Sequence, residues 1–277
     1  MNASSRANPF LLSFRVTVVP LDYYAFTSID KAAGLIKHSQ YVTALTGAGV
    51  SVESGIRPFR GPGGIWTELG EPPMDGYRRF ENNPKEYWEE MMNPVRISRF
   101  WDSYNKAKPN AGHMAFAELE AMGILKSLIT QNIDNLHIEA GNKKVLEIHG
   151  NKLKLRCVNC NARFPKIGFD LSTLPPQCPE CGGIVKDDIV MFGEPIPSDV
   201  LVSCQAEAKQ SDCMIVVGTS AIVYPAASLP LIVKDRGGVM IEVNPLESEM
   251  SEICDVVVRA SSGEAMPALV ETLKKLA

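Results

Sequence analysis

The 277-residue chain is long enough for one large hydrophobic core, or for a core domain that carries a smaller module. Its 45% hydrophobic and 22% charged residues are the proportions of an ordinary soluble globular protein. The net charge of −4, without a run of Lys or Arg, argues against direct nucleic-acid binding. No apolar run approaches the roughly 18 residues of a membrane helix, so we expect a cytoplasmic protein with no membrane contact.

The N-terminal residues 1–28 are predicted to be an extension that precedes the main domain. Arg15 interrupts their apolar run, and no small-residue cleavage site of a secretion signal follows it. A helix is predicted over Ser28–Ser39, with Ser28 as its N-cap. The apolar face of this helix comprises Ile29, Ala32, Ala33 and Ile36.

The next strand leads into a turn that contains glycine. The stretch Tyr41–Thr46 predicts a short buried strand, and Gly47-Ala48-Gly49 follows it. A glycine turn between a strand and a helix is where Rossmann-like sheets present backbone N–H groups to a pyrophosphate. The dehydrogenase fingerprint is incomplete, because Val52 occupies its third glycine position and no acidic residue ends a second strand about 20 residues on. Glycines at 55, 61, 63 and 64 suit a loop that closes over a ligand.

The rest of the chain alternates between predicted helices and strands. Residues 67–108 are polar, aromatic and interrupted by proline, which predicts an inserted segment of short helices. Asn110 is the predicted N-cap of a helix over Ala111–Met122. The further predicted strands are Leu125–Thr130, Lys144–His149, Cys213–Gly218, Val239–Val243 and Asp255–Arg259. This order predicts the α/β class, with a Rossmann-like parallel sheet that has helices on both faces.

Four cysteines have the spacing of a metal site. Cys157 and Cys160 form one C-x2-C pair, and Cys178 and Cys181 form a second pair after seventeen residues. The pattern predicts one structural Zn²⁺ with four thiolate ligands and no open position for a metal-bound water. Two disulfides are the alternative, which an odd total of seven cysteines and the missing secretion signal disfavour. Residues 151–188 are therefore predicted to be an inserted zinc ribbon.

Polar or glycine clusters recur where the predicted strands end. They are Gly47–Gly49, Gln131–Asp134, His149-Gly150, Gly218–Ser220 and Asn244. Ligands of doubly wound sheets bind outside the carboxyl ends of the strands, so five such clusters predict a ligand site at this edge. Taken alone, Asn132 or Asp134 could equally cap the following helix.

Only one of the four histidines ends a predicted strand directly before a glycine, and it is His149. We expect its imidazole to be exposed at the ligand edge, where its pKa suits removal of a proton from a hydroxyl. His38 and His113 lie near helix ends and are expected to face solvent, whereas His137 is expected to pack or to make a structural hydrogen bond. Serine-hydrolase and zinc-protease motifs are absent from the sequence.

Together these motifs resemble the sirtuin family of NAD-dependent protein-lysine deacylases. The resemblance rests on Gly47–Ile56, Phe59–Gly61, Thr130–Asp134, His149-Gly150, the four cysteines, Phe192–Glu194, Gly218–Ser220 and Asn244. It covers nearly the whole chain beyond the N-terminal extension and implies a catalytic domain over residues 29–277. The implied partners are NAD and acylated lysines of proteins or peptides, with chromatin proteins among the candidate substrates.

The resemblance also implies a reaction and the residues that perform it. In sirtuins the acyl-lysine oxygen attacks the ribose carbon that bears nicotinamide, and the products are nicotinamide, O-acyl-ADP-ribose and free lysine. His149 resembles the base that activates a ribose hydroxyl, and Asn132 resembles the residue that positions ribose or water. The peptide is implied to pair with a strand that comprises Val190, Met191, Phe192 and Gly193.

A larger set of residues is implied to bind NAD. The set comprises Gly47, Ala48, Gly49, Ser51, Ser54, Phe59, Arg60, Trp66, Gln131, Asn132, Ile133, Asp134, Gly218, Thr219, Ser220, Asn244, Pro245, Leu246 and Ser262. Within it, Asp134 and the N–H group of Ile133 would hold the nicotinamide carboxamide. Phe59 would shield the reacting face of the ribose.

Two features depart from common sirtuin patterns. Many sirtuins read Ile-Pro-Asp-Phe-Arg at residues 56–60, whereas proline stands here at 58, which removes an N–H donor and fixes φ. Sirtuins that prefer succinyl-lysine carry Tyr-x-x-Arg in the helical segment, and none of the seven tyrosines here has arginine three residues on. A buried succinyl carboxylate would then be unpaired, so acetyl or other neutral acyl groups are the predicted substrates. Met91 and Met92 suit either an adaptable apolar wall or the core.

Other functions remain open from the sequence. A protein ADP-ribosyltransferase would use the same NAD site but would need no hydroxyl base. A zinc-ribbon protein that binds chromatin or nucleic acid is a second alternative, which the acidic net charge disfavours. An ordinary dehydrogenase is less compatible still, because the usual ribose-binding acid is missing.

Overall fold

The structure is a computed structural model that describes residues 21–93 and 101–277. The strands within these ranges are β1 (Val42–Thr46), β2 (Leu125–Thr130), β3 (Val145–Glu147), β4 (Lys154–Cys157), β5 (Arg163–Pro165), β6 (Val185–Asp187), β7 (Cys213–Val217), β8 (Val239–Val243) and β9 (Val256–Val258). Six of them form a parallel sheet in the order β3-β2-β1-β7-β8-β9. The other three form a small antiparallel sheet in the order β5-β4-β6.

The α-helices of the described ranges are α1 (Tyr23–His38), α2 (Ile65–Leu69), α3 (Gly76–Asn82), α4 (Pro84–Met91), α5 (Ala111–Ala121), α6 (Leu136–Ala140), α7 (Ser198–Gln210), α8 (Ser228–Asp235) and α9 (Ser262–Leu276). Residues 101–106 are also helical, and 3-10 helices span Ala48–Ser54 and Ser251–Ile253. No helix of this part of the chain has both the length and the apolar character needed to cross a bilayer.

The large sheet is buried on both faces, which confirms the predicted α/β class. Side chains of a strand alternate between the two faces, so Ala44 packs with α1, α5 and α9, whereas Leu45 packs with α7 and α8. The neighbouring strand repeats the alternation with Ile215 and Val216, which pair in register with Ala44 and Leu45. Burial of both faces explains why these strands read as nearly continuous apolar runs.

The first helix begins earlier than predicted. Asp22 is the N-cap of α1 and accepts a hydrogen bond from the N–H of Ala25 at 2.8 Å, so Ser28 lies inside the helix. The acceptor side chain of Asp22 competes successfully with the serine that the sequence favoured. Most of the predicted extension, residues 1–20, lies outside the described residues. The Asn110 cap of α5 is confirmed by bonds from the N–H groups of Gly112 and His113.

The helical segment and the small sheet share one hydrophobic core. Trp88 of α4 is 2% exposed and packs against Leu155 and Val185 of the small sheet. Its indole Nε1 donates a hydrogen bond to the carbonyl of Val185 at 2.9 Å. Met91 belongs to the same cluster, which favours the core interpretation for this residue, whereas Met92 is 42% exposed. Residues 94–100 of the predicted helical segment lie outside the described part of the chain.

Candidate active site and zinc centre

The site lies where the chain changes direction across the sheet. From β1 the sheet grows through β2 and β3 on one side, and through β7, β8 and β9 on the other. The loops that follow β1 and β7 must therefore diverge, and a crevice forms between them at their carboxyl ends. The sequence-predicted clusters that follow β1, β2, β3, β7 and β8 all meet this edge.

The glycines of the two central loops are required by contact between the main chains. The N–H group of Gly49 donates to the carbonyl of Gly218 at 2.8 Å, and that of Gly47 donates to Val217 at 3.0 Å. A Cβ added to Gly49 would lie 2.6 Å from the Cα of Gly218, which has a φ of +60°. Both glycine N–H groups are thus bonded within the protein. A role in phosphate binding for the intervening Ala48 stays a prediction.

Amide side chains that follow β2 and β8 hold these loops together. Asn132 is 9% exposed, and its Nδ2 donates to the carbonyl of Gly47 at 3.0 Å and to Ser51 Oγ at 3.1 Å. Gln131 Nε2 donates to Thr219 Oγ1 at 2.9 Å. Asn244 Nδ2 donates to the carbonyl of Thr219 at 3.0 Å. These three amide side chains therefore connect four of the five predicted clusters.

A buried polar chain runs beneath the loop after β1. Ser51 Oγ donates to Asp134 Oδ2 at 2.6 Å, while the other carboxylate oxygen accepts from the N–H of Leu136 at 2.9 Å. Asp134 thus binds the first N–H of α6 and also faces Ser51, but the N-cap of that helix is Asn135, so neither Asn132 nor Asp134 is the capping residue. Burial raises the pKa of Asp134, although the hydrogen bonds from Ser51 and Leu136 oppose that rise.

The prediction that His113 faces solvent is wrong. Its side chain is fully buried, because Nδ1 accepts the N–H of its helix N-cap Asn110 at 3.3 Å. The reciprocal arrangement is a capping box with histidine in the place usually taken by glutamate or glutamine. Nδ1 is therefore the acceptor nitrogen, which leaves Nε2–H to face Ser51 Oγ at 3.4 Å. Burial lowers the pKa of His113 to about 4, so the ring is neutral at pH 7.

His137 is a packed structural residue, as predicted. It is 2% exposed, and its ring lies 4.8 Å from that of His113. The Thr46 hydroxyl donates to Thr130 Oγ1 at 2.9 Å and contacts His137 Nε2 at 3.1 Å. Because the Thr46 proton is used in that first bond, Nε2 of His137 is the donor to Thr46. Burial lowers the pKa of His137 well below its ordinary value.

His149 has the geometry of a general base. Its Nδ1 lies 3.2 Å from the carbonyl oxygen of Gln131, which can only accept, so Nδ1 carries the proton. Nε2 is then the nitrogen with a free lone pair. Burial lowers the pKa of His149, and the bond to Gln131 opposes this effect. His149 is half-buried rather than exposed as the sequence suggested.

The segment that was predicted to bind peptide lies beside this histidine. The N–H group of Val190 donates to the carbonyl of His149 at 3.0 Å. Gly150 follows with a φ of +80°, and any Cβ there would collide with the carbonyl of Asp188. Gly193 is exposed, and Met191 and Phe192 are half-buried.

Aromatic side chains of residues 56–66 form a separate wall. Phe59 stacks on Trp66 with ring centres 4.6 Å apart, and the guanidinium of Arg60 lies 4.4 Å from the centre of the Trp66 ring. Phe192 approaches Trp66 from the peptide segment at 5.4 Å. The carbonyl of Pro58 accepts the N–H of Ile65 at 2.9 Å, so the loop closes on itself despite the missing donor at 58.

The remaining predicted NAD residues are less tightly connected. Ser54 accepts a hydrogen bond from Asn110 Nδ2 at 2.9 Å, and Pro245 and Leu246 are exposed beyond Asn244. Ser262 is 4% exposed against Gly112 at the start of α9, and its Oγ has no hydrogen-bond partner among the described residues. Nothing in these contacts joins Ser262 to the central loops.

The four predicted metal ligands converge between the turns of the small sheet. Their sulfur atoms all lie within 4.8 Å of one another. The Sγ–Sγ distances are 3.5 Å for Cys157–Cys181 and 3.7 Å for Cys160–Cys178. Zinc–sulfur bonds of about 2.3 Å in a tetrahedron require edges of about 3.8 Å, whereas a disulfide requires about 2.05 Å. The thiols therefore fit one tetrahedral Zn²⁺ and are too far apart for disulfides.

The family model described as "Sir2 family" matches residues 47–225, which include both central loops, His149 and the four cysteines. The chain belongs to the Sir2 family. Its sequence is 41% identical over 253 residues to an NAD-dependent protein deacylase of Pyrococcus furiosus, covering 90% of this chain and 99% of the relative. The sirtuin resemblance read from the motifs is thus confirmed.

Solved structures of the Sir2 family have the same fold. A Sir2 homologue in complex with NAD superposes with a TM-score of 0.75 at 42% identity, covering 89% of this chain and 94% of the other. A Sir2 protein with a p53 peptide and NAD⁺ has a TM-score of 0.72 at 33% identity, covering 89% and 98% of the two chains. The roles of individual site residues in this chain stay predictions.

Proposed function

We propose that this Sir2 protein removes acetyl or other neutral acyl groups from lysine side chains and consumes NAD. The proposal rests chiefly on the tautomer of His149, whose Nδ1–H is bonded to Gln131 and whose Nε2 is left as a proton acceptor. The similar deacylase of Pyrococcus furiosus and the NAD complex of a Sir2 homologue support the choice of NAD as co-substrate.

Each part of the site has a distinct role in this proposal. NAD, when bound, supplies the ribose carbon that accepts the acyl oxygen, with nicotinamide as the leaving group. His149 Nε2 accepts a proton from a ribose hydroxyl, and its lowered pKa keeps it unprotonated at neutral pH. Asn132 orients ribose or water, although its Nδ2 is also bonded to Gly47 and Ser51. Asp134 and the N–H of Ile133 hold the carboxamide of nicotinamide.

The aromatic side chains of Phe59 and Trp66 would exclude water from the reacting atoms. Phe59 is held by Trp66 and would cover one face of the ribose, which limits direct hydrolysis. The peptide would pair with the main chain of residues 190–193. The hydrogen bond from the N–H of Val190 to the carbonyl of His149 keeps this segment next to the proposed base. Zinc would hold the small sheet and take no part in the chemistry, because four thiolates complete its coordination.

We also propose a cytoplasmic location. The seven cysteines are all free of disulfide bonds, which suits a reducing compartment.

An incubation with NAD and a panel of acyl-lysine peptides tests the function. The panel contains acetyl, butyryl and succinyl versions of one peptide, together with a basic peptide of the histone type to test chromatin proteins as substrates. Mass spectrometry should detect deacylated peptide and O-acyl-ADP-ribose in equal amounts. Deacylation at the same rate without NAD would contradict the proposal, and ADP-ribose attached to the protein without deacylation would favour the transferase alternative.

A further inference from the structure

A buried carboxylate joins the zinc ribbon to the predicted peptide segment. The side chain of Glu194 is 3% exposed, and its Oε2 accepts the N–H of Met191 at 2.8 Å. The same oxygen lies 3.1 Å from Lys186 Nζ, and Oε1 accepts from the guanidinium of Arg156. Arg156 belongs to β4 and Lys186 to β6, so both cations come from the small sheet that carries the cysteines.

The Glu194 carboxylate adds a second hydrogen bond between the two ends of the turn Met191–Glu194. The N–H of Glu194 donates to the carbonyl of Met191 at 3.0 Å, as in a four-residue turn whose third residue is Gly193 with a φ of +82°. The side chain of Glu194 binds the N–H at the other end of that turn. The carbonyl of Phe192 accepts the N–H of Tyr77 at 3.0 Å from the helical segment. The turn is therefore fixed by contacts with both insertions.

Lys186 uses its ammonium group to bind main-chain carbonyls of residues that lie between it and Glu194. It is fully buried, and its Nζ donates to the carbonyls of Asp187 at 2.8 Å and Ile189 at 2.6 Å in addition to its contact with Glu194. An ammonium has three protons, and these three acceptors use all of them. A buried ion pair contributes little net stability compared with an apolar replacement, but it requires its acceptors in one arrangement. The effect of this ion pair is therefore to hold Asp187, Ile189 and Glu194 in one arrangement.

We infer that Glu194 is a positioning residue for the peptide substrate, with Arg156 and Lys186 as its anchors in the zinc ribbon. It acts through the main chain of Met191–Gly193 and does not contact the reacting atoms. This inference rests on the proposed function, in which residues 190–193 bind the acyl-peptide. It makes the ribbon a part of the substrate site, although the metal itself is remote from the chemistry.

The test compares Glu194→Gln with a matched buried carboxylate elsewhere. Glutamine keeps the shape of the side chain but loses its charge, which weakens the bonds to both cations and to Met191. The KM for an acetyl-lysine peptide should rise about ten- to a hundredfold, the range expected from loss of a hydrogen bond to a charged group. The kcat and the KM for NAD should change less than about threefold.

The matched variant is Glu242→Gln. Glu242 is 1% exposed and pairs with Arg259 at 3.0 Å, and the same guanidinium donates to the carbonyl of Leu246 at 2.9 Å. This second carboxylate therefore fixes, through Arg259, the loop that carries the predicted NAD residues Asn244, Pro245 and Leu246. Its loss should raise the KM for NAD and leave the KM for the peptide nearly unchanged, so the two variants should show opposite patterns.

Hydrogen exchange separates this inference from the proposed function. In Glu194→Gln, exchange measured on peptic fragments should quicken over residues 189–194, with zinc content and exchange in β7 unchanged. Faster exchange with an unchanged peptide KM overturns the positioning role, and so does an unchanged exchange rate. If the wild-type protein shows no NAD-dependent deacylation, the proposed function fails, and binding of the acetyl-peptide by titration then decides the positioning role. If that binding is absent from the wild type or unaffected by Glu194→Gln, the inference is wrong.

Discussion

Burial lowers the pKa of two fully enclosed histidines, His113 and His137, and His113 offers the sharper test of its consequence. Its pKa is about 4 in the folded protein because burial disfavours the charged ring, whereas an unfolded chain has the ordinary value of about 6.5. The unfolded state therefore binds a proton that the folded state rejects. The contribution of neutral His113 to the free energy of unfolding is fully present above pH 6.5, and it is lost progressively as the pH falls towards 4.

The magnitude follows from the separation of the two pKa values. Each pH unit between them costs about 1.4 kcal/mol of unfolding free energy. His113 alone should thus lower the stability by roughly 1 kcal/mol between pH 7 and pH 5.5. His137 and His149 add to the decrease in the same direction, because burial lowers the pKa of both.

The assay is urea unfolding at pH 7 and pH 5.5, for the wild type and for His113→Gln. The variant has no group to protonate at this position, so its stability should depend less on pH by roughly 1 kcal/mol, whatever its stability at pH 7. His38→Gln is the control, because His38 is exposed at the end of α1. Zinc content must be equal at both pH values. An identical pH dependence in wild type and His113→Gln would refute the reasoning.

Other expected outcomes concern the reaction and the metal. His149→Ala should lower kcat for deacylation about 10²–10⁴-fold while NAD still binds by calorimetry, and His38→Ala should not; equal losses in both would contradict the assignment. Cys157→Ala or Cys181→Ala should release zinc and lower the Tm by roughly 5 °C or more, and a metal-free variant of unchanged Tm would contradict a structural role. With no Tyr-x-x-Arg in the sequence, kcat/KM for an acetyl-peptide should exceed that for its succinyl version by more than about tenfold; equal values would be inconsistent with this.

The elements that the sequence predicted well depend on local patterns. Leu125–Thr130 and Val239–Val243 were predicted with the bounds that the structure has, since each is a short segment rich in apolar residues that begins after a glycine-containing turn. The cysteine spacing likewise predicted a four-sulfur cluster. Errors arose where two local signals competed, as with Asp22 and Ser28 at the start of α1.

Other features depend on contacts that no local pattern contains. His113 occupies the third position of α5, where a capping box normally has glutamate or glutamine, so its bond to Asn110 was not anticipated. The sequence feature that could have indicated this bond is the position of His113 three residues after the Asn110 cap. Arg156 and Glu194 are separated by 38 residues, and charged residues in sequence read as surface until the fold brings them together. The contacts of Glu194 with Arg156 and Lys186 could therefore be found only from the structure.

The core that α4 shares with the small sheet has a consequence for protein synthesis. The indole of Trp88 and the carbonyl that it binds are 97 residues apart, so the ribosome produces the tryptophan long before its acceptor. During that interval the apolar face of α4 has no ribbon to cover it and is available to chaperones or to other nascent chains. The second cysteine pair is made only shortly before Val185, so the metal ligands and the cover for Trp88 are completed almost together.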